Sequence, residues 1–343
     1  MGGFGFAARE VIRFFASAPE LGVEVVCLAG EPLRLSDALR PAVHGARLVP
    51  RTRRHSLRAE LRQAMAVRRE RPDLLLTIDY RRIPTTRLAW VARLSRLLGR
   101  PIGFASPAPH LHDRVWGAYG VRIPERPLLP NIIDVPDERI AKSVRPSVVF
   151  LGRLDPIKRP WIALELARRL PDVDFRILGQ NHFGGPRAWI PAGVPPNVQF
   201  LGHIDGTEKR RLLMSAWLLL NSSIHAGLAV SFLEALACRT PLIGSVDPDG
   251  VVSRYGIFTG HIDGSGLHEI DRFEGALTAL LTDHQRRSAL GVAGQGWVAV
   301  THSRARFLAS FHRLCSVLGA PGPLSTVAPH AAARLAPAFP ATT

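Results

Sequence analysis

The chain alternates short apolar runs with segments whose apolar residues recur at the helical period. In the first part, residues 23–29, 74–78 and 102–105 predict buried strands, and 7–18, 56–70 and 85–98 predict the helices around them. A polar, proline-rich stretch over 124–146 interrupts the pattern, which then resumes. Residues 148–151, 175–178, 198–201, 217–220 and 241–244 predict strands, and 161–170, 207–216, 228–238, 273–282 and 304–318 predict helices. Strands without polar alternation are covered on both faces, which argues for parallel sheets. The predicted class is therefore α/β, with two doubly wound, Rossmann-like domains over 1–143 and 144–319. Residues 320–343, rich in Ala and Pro, read as a disordered tail. Ligands of such sheets bind beyond the carboxyl ends of the strands, so two facing domains place the site in the cleft between them. The first domain departs from the pattern: Gly2-Gly3-Phe4-Gly5 runs into a helix, and the strand that normally opens such a domain is missing.

Composition narrows the function classes. No apolar run approaches the roughly 18 residues of a membrane-spanning helix, and no basic start with an apolar core marks a secretory signal. Cys27, Cys238 and Cys315 are too scattered for a disulfide scaffold or a cysteine-rich zinc module, which predicts a cytoplasmic protein. The formal net charge is +16, and all but three of the 44 basic residues are arginine. Part of that bias reads as GC-rich codon usage. The functional reading is a polyanionic partner: nucleic acid, an anionic membrane surface or a phosphorylated substrate. Nine arginines fall within 47–71. On a helix from Ser56, Leu57, Leu61, Ala64 and Met65 share one face, and Arg58, Arg62 and Arg69 share another. The segment 51–71 thus suits the anionic inner face of a membrane or a lipid-linked acceptor, or is a surface helix packed by its leucines. Nucleic acid is excluded, because no aromatics interleave the arginines and no nucleic-acid fold signature appears.

Two segments carry candidate chemistry. In the first, a strand ends at Gly152, and Arg153 and Lys158 follow on the loop before the next helix. A guanidinium fork beside a compact ammonium suits a diphosphate, although a basic pair on a loop is commonly just solvated surface. In the second, a strand runs through Asn221 into His225-Ala226-Gly227-Leu228, where a helix is expected to start and turn its free amides toward an anion. Glu234 lies two turns further on within an apolar face, where it holds a ligand or pairs internally.

These segments resemble family 4 glycosyltransferases, retaining enzymes of the GT-B fold. The resemblance is ordered: Asn131 to Asp134 is similar to the interdomain element, Gly152 to Lys158 to the "GRL…K" element, Asn197 to Gly202 to the "NVxFLG" strand, and Ala226 to Pro241 to the "EGxxxxxLEAxAxGxP" element. It is dense in the second half and sparse in the first. It implies that Arg153 and Lys158 hold the donor diphosphate, with amides around Gly227 and Leu228. It also implies that Glu234 holds the ribose hydroxyls, that the Gly-rich start at Gly2 and Gly3 approaches the phosphates or sugar, and that Gly202 lies near the base. A histidine after an N-domain strand, here His110, approaches the sugar. The family pattern has a Glu where this chain has Ala226, which bears on sugar recognition and turnover; His225 is placed to take over a sugar contact.

The activity implied is transfer of a sugar, with retention, from a nucleoside-diphosphate sugar to a glycan, lipid-linked or small-molecule acceptor. No cofactor or metal is expected, since the nucleotide sugar is a substrate. Asp172–Asp174 and Asp247–Asp249 mimic a metal motif but read as surface carboxylates, and His110, His112 and Asp113 lack a second set of ligands. The alternative is a non-catalytic sugar-nucleotide-binding homologue or partner subunit.

Overall fold

The computed structural model describes residues 3–30, 47–51, 65, 69, 97, 105–113, 126–183, 191 and 193–323. Two compact units divide the chain. One comprises Met1–Ile132 with Arg304–Thr343, and the other Ile133–Ser303.

In the first unit, helix α1 (Gly3–Ala16) begins inside the Gly-rich start, so Gly3 is helical rather than part of a loop; Gly2 lies outside the described residues. Strands β1 (Val26–Gly30) and β2 (Arg47–Arg51) pair in parallel, with Val26 opposite Arg47. The sequence pattern places β1 three residues early and gives no sign of β2. The unit is completed from the far end of the chain. In the last described helix, Phe307, Phe311 and Cys315 recur every four residues and form one core with Phe14, Phe15 and Leu21 of the N-terminal segment. The Phe14 and Phe307 rings meet edge-on at 5.5 Å. This apolar stripe draws residues 304–318 out of the expected second domain and into the first unit. Ile132 joins the same core, so the division falls after it rather than at 143.

The second unit is a six-stranded parallel sheet. Its strands are β3 (Ser147–Leu151), β4 (Asp174–Leu178), β5 (Val198–Gly202), β6 (Leu218–Asn221), β7 (Leu242–Gly244) and β8 (Gly256–Phe258), in the spatial order β5-β4-β3-β6-β7-β8. Helices α2 (Trp161–Arg169), α3 (Gly206–Ser215), α4 (Val230–Ala237), α5 (Val251–Tyr255), α6 (Ile270–Thr282) and α7 (His284–Thr301) complete it. The apolar runs of β3 and β6 are buried along their length, as strands covered on both faces require. Val148, Phe150, Ile162, Leu166, Phe175 and Phe273 form the centre of the core. The Asn197 amide closes one edge by donating to the carbonyls of Ala167, Leu170 and Val173.

Five of the predicted strands lie within one residue of those observed, whereas β8, α5 and α7 had no clear signal. In α7, glycines interrupt the apolar period, and they are there for contact: a Cβ on Gly291 would lie 2.5 Å from the Arg239 carbonyl oxygen just past α4. At the head of the sheet, Gly179 has φ +158°, and a Cβ there would fall 1.8 Å from the Gly152 carbonyl oxygen. Only glycine lets the ends of β3 and β4 approach this closely.

Candidate functional site

With three strands on each side of the β3–β6 seam, the chain leaves β3 in one direction and later returns to add β6, β7 and β8 in the other. Such a reversal opens a crevice beyond the carboxyl ends of the two central strands. The loops leaving Leu151 and Asn221 are therefore the ones that must line it, and both candidate segments lie on them.

Asp155, 7% exposed, organises the first loop. Its Oδ1 accepts the Lys158 N–H at 2.9 Å, and its Oδ2 lies 3.1 Å from Arg153 Nη2. The two loops are then joined directly. Ile224 N donates to the Ile157 carbonyl at 2.9 Å, Ser222 Oγ to the Lys158 carbonyl at 2.8 Å, and Lys158 Nζ to Ser223 Oγ at 3.1 Å. Burial lowers the pKa of Lys158, Asp155 opposes the shift and Arg153 adds to it. The ammonium is thus held against a neutral hydroxyl, short of negative charge, with Arg153 half exposed beside it.

On the second loop His225 is exposed, Ala226 and Gly227 are half-buried and Leu228 is buried. Helix α4 starts at Val230, two residues later than expected, because Ala229 is still extended. Ala229 supplies no capping side chain, so the first amides of α4 keep their capacity for an anion. Glu234 Oε1 lies 2.7 Å from Lys209 Nζ, which also reaches Asp205 Oδ1 at 2.9 Å. Burial works to lower the Lys209 pKa, but these two carboxylates outweigh it and raise it. The internal pairing weighed for Glu234 is therefore present. Gly202 ends β5 at a register shift, where its carbonyl accepts the Gly179 N–H at 2.7 Å.

The structure brings Arg153, Lys158 and the 225–228 loop to the β3–β6 crevice. His110 belongs to the first unit, where it opens a helical turn at 110–113, and Gly3 is in that unit too. In the same turn His112 is 4% exposed, and burial lowers its pKa. Asp174 pairs with Arg145, and Asp247 accepts the Val252 amide at 2.7 Å, so each of these carboxylates has a structural partner. No cluster of metal-ligating side chains occurs among the described residues. Of the basic segment, Met65 and Arg69 are helical and exposed; the rest of 52–71 lies outside the described residues.

Sequence reasoning missed Arg159. Its backbone is left-handed, with φ +49°, and its side chain is fully buried. Nε donates to Ser222 O at 2.5 Å, Nη1 to Ile262 O at 2.7 Å and Nη2 to Ser245 Oγ at 3.1 Å. One guanidinium thus ties together the loops after β3, β6, β7 and β8. The available signal was the adjacency of Arg159 to Lys158 and the serines following β6 and β7.

A six-stranded parallel sheet with a crevice at its switch point defines a doubly wound α/β unit, and comparison with known proteins makes the fold specific. In solved structures, the fold over 93% of the chain is similar to Anabaena HepE in complex with UDP and glucose, at a TM-score of 0.63, 15% identity and 96% coverage of that protein. It is also similar to WaaG, a glycosyltransferase involved in lipopolysaccharide biosynthesis, at a TM-score of 0.59, 14% identity and the same coverage. The chain has the GT-B fold. Residues 136–297 match the family described as glycosyl transferases, group 1. A GDP-mannose-dependent alpha-(1-6)-phosphatidylinositol monomannoside mannosyltransferase of Mycolicibacterium smegmatis is 31% identical over 178 residues, 47% of this chain and 45% of that protein. The chain spans less than half the length of the curated relatives it matches.

Proposed function

We propose that the protein transfers a sugar from a nucleoside-diphosphate sugar to a glycan, lipid-linked or small-molecule acceptor, with retention at the anomeric carbon. The observation carrying this reading is the buried Lys158 ammonium, held on Ser223 beside Arg153 and the uncapped start of α4. As the bond from the anomeric carbon to the diphosphate breaks, negative charge grows on the departing oxygens. Arg153, Lys158 and the amides around Gly227, Leu228 and α4 stabilise that charge from positions already fixed. The sugar passes through an oxocarbenium-like state, and the departing phosphate accepts the acceptor's proton. His110 and His225 are assigned to the sugar, Gly202 to the base and Glu234 to the ribose. A lipid-linked acceptor at an anionic inner membrane face accords with the arginine-rich segment 51–71 and with the phosphatidylinositol acceptor in the Mycolicibacterium relative's name.

The second reading, binding without transfer, draws on Ala226, whose methyl offers no hydrogen bond to a sugar hydroxyl. One experiment separates the two. Purified protein is screened against UDP- and GDP-sugars by thermal shift, and each stabilising donor is then assayed for hydrolysis and transfer. Stabilisation with release of nucleoside diphosphate supports the transferase. Stabilisation without turnover, restored by Ala226→Glu, supports a lost sugar contact. No stabilisation by any donor, at concentrations that stabilise known transferases, overturns the donor site.

A further inference from the structure

The ion pair of Glu234 joins two helices of the second unit. Helices α3 and α4 pack side by side, and each follows the carboxyl end of a strand, β5 for α3 and β6 for α4. Side chains on a helix lean toward its N-terminus. Lys209 on α3 and Glu234 on α4 therefore both lean toward the end of the sheet where Lys158 lies. Between the helices, Lys209 Nζ lies 2.7 Å from Glu234 Oε1 and 2.9 Å from Asp205 Oδ1. Asp205 is itself fixed, because it caps α3 and its Oδ1 accepts the Gly206 N–H at 2.9 Å. One ammonium thus links the loop leaving β5 to a carboxylate on α4. The Lys209 and Glu234 side chains are 14% and 15% exposed, so water and salt screen this contact little.

A glutamate side chain has three rotatable bonds, and fixing it costs conformational entropy. An unheld Glu234 would give up that freedom only when a ligand arrives, at the expense of affinity. Lys209 removes the freedom beforehand by holding Oε1. A carboxylate has two oxygens and about four acceptor positions, so one ammonium does not exhaust what Glu234 can accept. Asp205 supplies the second anchor: the capped end of α3 determines where the ammonium stands, and through it where Oε1 stands. We infer that Lys209 is a positioning residue for the nucleoside, setting the Glu234 carboxylate for the hydroxyls of a ribose and so making the site selective for ribonucleoside over 2′-deoxyribonucleoside diphosphates. The inference rests on the proposed role of Glu234. It goes further by placing the selectivity in a lysine that acts through Glu234 rather than on the nucleotide.

The test titrates the full chain calorimetrically with UDP, GDP and their 2′-deoxy counterparts, and reads the ratio of ribo to deoxy affinity within each variant. Partial unfolding affects both ligands alike and leaves this ratio unchanged. The parent is expected to bind its better ribonucleotide at least about tenfold more tightly than the deoxy form, as one hydrogen bond to a charged group allows. Lys209→Met should remove most of that ratio by weakening the ribonucleotide alone. Lys209→Arg, which can still reach both carboxylates, should keep it. Asp205→Asn keeps a good helix cap but drops the charge; its ratio should lie between those of Lys209→Met and the parent, and it carries the test if Lys209→Met does not fold. Glu234→Gln separates the inference from the reading beneath it. If Glu234→Gln abolishes the ratio while Lys209→Met and Asp205→Asn keep the parent's, Glu234 holds the ribose without Lys209 and the inference alone is overturned. Equal weakening of both forms by Lys209→Met makes the pair merely structural and overturns it too. If the parent binds neither nucleotide, shows no ratio, or keeps its ratio in Glu234→Gln, the ribose reading falls and the inference falls with it.

Discussion

Replacing Arg159 with leucine removes the tie between four loops while keeping a bulky apolar stem. The three shortest bonds run to Ser222 O, Ile262 O and Ser245 Oγ; those to Gly264 O and Asp263 O, at 3.4 and 3.5 Å, add little. A hydrogen bond to a charged group contributes about 1.5–3 kcal/mol, so three set a ceiling of about 4.5–9 kcal/mol. Against this stands the cost of holding a guanidinium out of water, which the downward shift of its pKa by burial reflects. Arg159→Leu leaves two backbone carbonyls and the Ser245 hydroxyl without this donor, at about 1–3 kcal/mol for each buried polar group left unsatisfied, so the expected loss is about 3–5 kcal/mol. Arg159→Gly isolates the backbone contribution: it removes a left-handed non-glycine residue, worth about 1 kcal/mol, and so should lose correspondingly less. Urea denaturation followed by circular dichroism measures both variants. Nucleoside diphosphate affinity should fall as well, because Ser222 and Ser223 lose their anchor. A loss below about 1 kcal/mol for Arg159→Leu, with unchanged affinity, would refute the tie.

Glu234→Gln should weaken nucleoside diphosphate binding about tenfold by calorimetry, and lower the melting temperature as Lys209 loses one of its two carboxylates. A lower melting temperature with unchanged affinity would leave Glu234 purely structural. Burial brings Lys142 down from 10.5 to about 8. Below pH 8 both folded and unfolded chains carry the charge and the burial cost is fully felt. Between pH 8 and 10.5 the unfolded chain keeps a proton the folded chain has released, so stability should rise with pH. Lys142→Met should flatten that rise in urea titrations across the same window, and an unchanged slope would contradict the shift. Nucleotide affinity should fall as pH climbs past the lowered pKa of Lys158, earlier than an ordinary lysine allows. Lys158→Arg, which does not titrate there, should abolish that early fall; parallel pH profiles of the two would refute it.

The sheet of the second unit was legible because its central strands are buried on both faces, which leaves near-continuous apolar runs such as 147–151 and 218–221. The loop after β3 was legible as a candidate phosphate site for a local reason: a strand-ending glycine, an arginine and a lysine fall within seven residues. What escaped depends on distant contacts. Helix α7 carries glycines at 291 and 294 to meet α4, which weakens its own signal while serving the packing. The placement of 304–318 with α1 rests on aromatic contacts between residues nearly three hundred positions apart. Arg159 was hidden among 41 arginines, since nothing local tells a fully buried guanidinium from a solvated one.

That abundance of positive charge makes net charge a poor guide to the site, and the environment of each lysine a better one. The three lysines of the chain all lie in the second unit, and each is largely buried. Lys209 faces two carboxylates, and its pKa is raised; its charge is already spent within the fold. Lys142 is satisfied by the Ala216 carbonyl at 2.7 Å and the Thr240 hydroxyl at 2.9 Å, and it anchors the segment entering β3. Lys158 rests on a serine hydroxyl, next to a second cation, at the open end of the sheet. Burial outweighs the nearby carboxylate of Asp155, so this ammonium is left short of negative charge. Under the proposed function, a diphosphate would supply that missing charge, most of all once charge has built up on the departing oxygens. Ser223 holds this ammonium, and Ser222 and Arg159 hold the loop that carries it, so the proposed transfer would need little reorganisation.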